Sequence, residues 1–296
     1  MITDTPQQSE GRALMMRRLF IFMLVTLAGL LIGSVLISLI VTEPPVTSRM
    51  RVATVIQDLF VFILPAVVIA VVSSRYPARF LSIDRGGSVW TAVLAVAALM
   101  VSAPVQNLII EWNAGLSLPE SMSSIDRWMR AAELRAQDST SLLLGGTSVS
   151  DLVMSLLIVG VLAGLGEELF FRGALQRILT YNPRAAHAAI WIGAFIFSAF
   201  HMQFMGFVPR LLLGAFFGYI VWWSGSLWPA AVTHIINNSV VVFSSWQSRS
   251  LGISNPTEGF GADNAVMLAC SLLLTVGAIW LLRRCALRGR NGLETD

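Results

Sequence analysis

The chain has 296 residues, of which 55% are hydrophobic and only 12% charged, about half the charged share of a soluble domain. That balance excludes a disordered chain and an ordinary soluble enzyme, and it points to a polytopic membrane protein. The formal charge of +3 rests on 20 basic residues, all arginine and mostly between apolar runs; no basic stripe interleaves with aromatics, so no nucleic-acid partner is expected.

Taken in chain order, apolar runs at 19–41, 52–73, 89–110, 152–171, 188–204, 208–223, 227–243 and 265–282 predict an all-α transmembrane bundle of about eight spans. The first run follows Arg17 and Arg18 and is too long for a signal-peptide core, so it reads as a retained anchor. Between spans three and four, residues 119–138 set Ile125, Trp128, Met129 and Leu134 against Asp126, Arg127, Arg130, Glu133 and Arg135. This spacing predicts a short amphipathic helix, lying on the outer membrane surface or forming an extramembrane loop. The organisation expected is a cytoplasmic N-terminal tail (1–18), one membrane domain (19–287) and a C-terminal tail (288–296).

With the N-terminus inside, twelve arginines fall on the cytoplasmic side and seven opposite, leaving out Arg172 as a residue inside a span. The bias favours both termini in the cytoplasm. Trp90 and Trp112 bracket the third span, and Trp222, Trp223 and Trp228 crowd the turn between the sixth and seventh, as interfacial indoles do. The two cysteines, Cys270 and Cys285, are about 22 Å apart if they share one helix, too far to bridge.

Charge near a bilayer centre is costly, and four stretches between residues 160 and 240 carry polar groups in apolar context. The first holds Glu167, Glu168 and Arg172. Glu168 and Arg172 are one helical turn apart on one face, so they can pair. Glu167 points about 100° away and is left free for general-base work. The second ends span five at His201. A hairpin turning near Pro183 and Arg184 would bring Glu167 and His201 to similar height. The third places His234 and Asn238 one turn apart in span seven, with Asn237 as a second amide; the same residues would serve equally to hydrogen-bond helices together. The fourth is Arg210, which can receive a substrate carboxylate or snorkel outward. Three GxxxG pairs, Gly29/Gly33, Gly160/Gly164 and Gly214/Gly218, would permit close helix packing.

Two carboxylates, two imidazoles, an amide and a guanidinium suit hydrolysis by activated water with a stabilised oxyanion. No GxSxG occurs and neither cysteine is near the cluster. Zinc is the rival, since Glu and two His form a possible ligand set, but HExxH is absent. A transporter is a third option, without the paired broken helices that class shows.

Glu167-Glu168-x-x-x-Arg172, Phe197-x-x-x-His201 and His234-x-x-x-Asn238, in this order on apolar helices, resemble the CPBP family of intramembrane glutamic endopeptidases, which includes type II CAAX prenyl proteases and bacterial relatives. The resemblance covers roughly residues 150–245. It implies an eight-helix bundle and a metal-independent peptidase without cofactor. Glu167 would activate water with His201, His234 and Asn238 would form the oxyanion hole, and Glu168 and Arg172 would support the site. The partners implied are a peptide or membrane-protein substrate and the lipid bilayer, in a cell membrane, the bacterial inner membrane. The non-enzymatic alternative is an immunity or scaffold protein of the same fold.

Overall fold

The computed structural model describes residues 6–40 and 46–293, and all secondary structure among them is helical. Helix α1 spans Pro6–Ile40 and α2 spans Thr47–Ser73. Helices α3 (Val89–Val101) and α4 (Ala103–Ala114) follow, then the amphipathic α5 (Ser123–Leu143). Next come α6 (Val149–Leu179), α7 (Ala186–Phe200), α8 (Phe207–Ser224), α9 (Trp228–Leu251) and α10 (Ala265–Leu293). Val41, at the end of the first expected span, and the outermost parts of both expected tails (1–5 and 294–296) lie outside the described residues. Within those residues, α1 and α10 continue as helix into both tails.

Each expected span finds a helical counterpart, with α3 and α4 together standing for the third. The membrane test is stricter. Five helices are long and apolar enough to cross, or six if α3 and α4, bent by 53°, count as one broken span. Pro104 at the start of α4 accounts for the bend, because it lacks an N–H and crowds the preceding turn. Two expected spans fall short for different reasons. Helix α7 has only 15 residues, a rise of about 22 Å against a hydrocarbon core of about 30 Å. Helix α9 is long enough, but His234, Asn237 and Asn238 dilute its apolar character.

The capping box of Ser148 and Asp151 starts α6. Arg51 of α2 pairs with Asp151 at 3.0 Å and ties the two helix starts together. Asn182 caps the turn from α6 to α7 at Pro183–Ala185, where the hairpin was expected. Helices α6 to α9 form the centre; α1 and α2 pack on one flank, α3, α4 and α10 on the other. Phe22, Phe62, Phe170, Phe171 and Ile178 fill the first flank, and Ala95, Phe217, Ile220, Leu227 and Leu282 the second. Large apolar side chains along α1 and α10, such as Phe20, Leu31, Leu273 and Val276, face outward, as lipid-facing surfaces require.

Close approach at the centre needs the small residues. A Cβ on Gly214 of α8 would meet the Cα of Ala194 at 3.0 Å, and one on Gly218 would meet the Cγ2 of Ile190 at 2.9 Å. With backbones this near, side chains of α6 reach the carbonyls of α8. Arg172 donates to Gly214 O at 2.9 Å and Gln176 to Gly218 O at 3.1 Å.

Helix α5 packs on the protein through Trp128, whose ring lies 5.2 Å from that of Phe204, and through Glu133. On its exposed side Asp126 pairs with Arg130 at 2.7 Å. That pairing, with a second hydrogen bond from Leu118 N–H, holds the Asp126 carboxyl below the usual carboxylate range.

Candidate active site

Helix α6 presents the two glutamates on a short α-helical stretch, Gly164–Glu168, flanked by π-helical turns at Leu156–Ala163 and Leu169–Gln176. Wide turns of this kind open the backbone to side-chain donors and recur at functional sites. Asn238 of α9 donates its Nδ2 to the carbonyl of Val159, inside the first π segment, at 3.1 Å.

Glu168 is fully buried. Its Oε1 accepts from Arg172 Nη1 at 2.6 Å, the pair expected from the four-residue spacing, and from His234 Nδ1 at 2.8 Å. The second contact was not anticipated. With Nδ1 directed at Glu168, His234 turns Nε2 toward Glu167, whose Oε2 is 3.7 Å away. Glu167 thus stands on the other side of the imidazole, more exposed than Glu168, and its Oε2 has no hydrogen-bond partner among the described residues.

Aromatic rings enclose the charges. The Arg172 guanidinium lies 4.6 Å from the Phe197 centroid and 5.3 Å from that of Phe217. His234 stacks on Phe217 at 4.8 Å and meets the edge of Phe197 at 5.8 Å. Low polarity around the cluster strengthens its internal electrostatics and makes any lost partner expensive.

His201 caps α7, with Nδ1 2.9 Å from Phe197 O and its ring 5.1 Å from the Phe197 ring. Phe197 therefore touches both histidines. Glu167, Arg210 and His234 are the charged side chains within electrostatic reach of His201. Met202 turns the chain immediately afterward with φ +52°, an uncommon conformation for a non-glycine residue.

Arg210 is turned inward, with its Nε lacking a hydrogen-bond partner among the described residues. It donates to Gln203 Oε1 at 2.8 Å and Gln203 O at 2.6 Å, bracing the loop after His201. Glu133 of α5 grips the same loop by accepting from Met205 N–H at 3.2 Å. Asn113 of α4 donates to Phe204 O and accepts from Val208 N–H. Asn237 donates to Asn238 Oδ1 at 3.3 Å, which leaves Asn238 as the amide that touches α6.

Sequence reasoning missed two contributors. Asp58 lies buried in a π-helical turn of α2, within electrostatic reach of Glu167; the signal was a lone carboxylate inside an apolar run. Glu133 was read only as part of the polar face of an amphipathic helix. Both cysteines are free: Cys270 is exposed, and Cys285 lies half-buried within reach of the Thr91 hydroxyl. Among the described residues, no three His, Cys, Asp or Glu side chains converge as a metal-binding group.

Residues 149–240 match the family model described as Type II CAAX prenyl endopeptidase Rce1-like. The match runs from the start of α6 into α9 and takes in every motif residue from Glu167 to Asn238, so the resemblance read from those motifs holds over this part of the chain. It covers fewer than half of the residues. Neither the curated proteins nor the solved structures yield a significant match.

Proposed function

We propose that the protein is an integral-membrane endopeptidase that hydrolyses a peptide bond of a peptide or membrane-protein substrate near the membrane interface. The observation that carries this reading is the cluster of partly buried Glu167 with buried Glu168, Arg172 and His234 inside the segment that matches the peptidase family. Glu167, with a free carboxylate oxygen and His201 within its field, takes a proton from water as the water oxygen attacks the scissile carbonyl carbon. The carbonyl oxygen gains the negative charge. His234, doubly protonated with Nδ1–H on Glu168, offers Nε2–H to that oxygen, and Asn238 offers its remaining amide hydrogen. The C–N bond then breaks, and the proton held by the glutamate passes to the leaving amine.

In the protonation state this needs, Glu167 and Glu168 carry two negative charges, and Arg172 and the His234 imidazolium two positive ones. The site is then neutral overall, which lowers the cost of holding it away from water. The water-activating groups belong to the chain itself, and no metal is part of the proposed mechanism. The arginine distribution supports both termini lying in the cytoplasm.

The test is cleavage of a peptide library by the full chain in detergent, read by mass spectrometry. Glu167→Gln and His201→Ala should each lower cleavage by about 10²–10⁴-fold with helix content unchanged. Cleavage undiminished in both variants would overturn the residue roles. Activity lost to a chelator and restored by zinc would overturn the metal-free mechanism. A substrate-dependent phenotype that survives Glu167→Gln but fails in Gly164→Leu would favour a scaffold.

A further inference from the structure

A second polar space lies at the far end of α6 from Asp151, where the α2–α3 loop meets the ends of α6, α8 and α10. It is a cavity of about 320 Å³ lined by Arg79 and Arg85 from the loop, Arg177 from α6 and Arg290 from α10, with Arg172 and Gln176 on its inner wall. Asp84 is the one carboxylate in its lining among the described residues, and the hydroxyl residues Ser82, Thr180 and Ser224 add polar groups. A smaller cavity of about 180 Å³ shares Arg79 and Arg177 and adds Arg18, which lies within electrostatic reach of Arg177.

Arg79, Arg85 and Arg177 against Asp84 leave a positive excess among the described lining residues, without counting Arg290. Arg172 is neutralised by Glu168. Arg79, Arg85 and Arg177 form no ion pair among the described residues. Arginine enrichment at one end of a membrane bundle follows from its orientation. That bias does not by itself place arginines from three separate parts of the chain around one concavity, where Arg79 and Arg177 also remain exposed to solvent. Surface arginines on loops and helix ends can spread into water. Holding them together in a concave wall focuses the positive potential on one point, and the volume lies at the lower end of the roughly 300–1,000 Å³ range of ligand pockets.

Planar guanidinium forks match oxyanions with several equivalent oxygens, phosphate above all. We propose that this cavity binds a phosphate group, carried either by a lipid headgroup or by a soluble phosphate or diphosphate. The position suits both: the cavity lies at the end of the bundle, with Arg290 from the C-terminal end of α10 in its lining. The proposal stands independently of hydrolysis at Glu167, because it is read by binding alone.

The experiment measures thermal unfolding of the full chain in detergent during titration with inorganic phosphate, with diphosphate, with short-chain phosphatidylglycerol and with phosphatidylcholine. Sodium chloride at matched ionic strength is the control. The wild type should show saturable stabilisation. The triple variant Arg79→Gln/Arg85→Gln/Arg177→Gln should weaken it about tenfold or more, as expected for lost charge-assisted hydrogen bonds. Arg127→Gln/Arg135→Gln on exposed positions of α5 should leave it unchanged. Saturation with phosphatidylglycerol alone assigns the phosphate to a lipid; saturation with phosphate or diphosphate assigns it to a soluble ligand. Arg85→Gln, outside the helices, carries the same comparison at smaller amplitude if the triple variant fails to fold. Stabilisation that chloride reproduces, or that the cavity variants keep in full, would overturn the proposal.

Discussion

Helix α10 and helix α9 make an instructive pair. Helix α10 passes every test of an apolar span, yet only 11% of its most apolar window is buried inside the protein. Helix α9 fails the same test, yet it buries Ala230, Ala231, Thr233 and His234. Apolar character all round marks a helix whose solvent is lipid. A helix screened from lipid by neighbours can carry imidazole and amide groups, because protein supplies their partners. The candidate site is built on α6, α7 and α9, and two of these three are the helices that fall short as independent spans.

The contrast can be broken most severely at the centre. Arg172→Met should cost about 3–5 kcal/mol of stability, because it strands Glu168 as an uncompensated buried charge; thermal unfolding in detergent measures the loss. If that variant unfolded with wild type, the pair would not hold the core. Asn238→Ala comes next: on the proposed mechanism it removes one oxyanion donor and should lower kcat by about 10²–10³-fold. An unchanged kcat would confine Asn238 to its bond with Val159. Gly214→Val should cost about 1–3 kcal/mol through overpacking against Ala194, and scanning calorimetry would detect it.

At the periphery the same chemistry should matter little. Leu273→Ala, on an exposed position of α10, should change stability by no more than about 0.5 kcal/mol. A larger loss would mean that this face meets protein rather than lipid. The smallest effect belongs to α5. The Asp126 carboxyl is held below its ordinary value by Arg130, so its stabilising contribution is fully present above the unfolded carboxylate pKa of about 4. That contribution fades as pH falls through the lower folded value. Limited proteolysis of the α5 region along an acid titration should show this fading in wild type and not in Asp126→Asn.

Several parts of the fold were legible without coordinates. Composition announced a membrane protein, runs of apolar residues located the helices, and Pro183-Arg184 marked the hairpin. The Glu168–Arg172 pair was readable because both residues share one helix, where a four-residue step sets their separation. The small-residue spacing at Gly214 and Gly218 foretold close packing, though not which carbonyls it would expose.

Contacts between helices could not be read the same way. Nothing in linear spacing places His234 on Glu168, sets Asp58 beside Glu167, turns Arg210 onto Gln203, or gathers Arg79, Arg177 and Arg290 around one cavity. Those outcomes depend on how far each helix is rotated about its axis and how near its neighbour lies. Glycine contacts and π-helical turns set both quantities, and they act only once the helices have packed. Periodicity is a property of one segment, whereas the chemistry proposed for this protein is a property of several segments meeting.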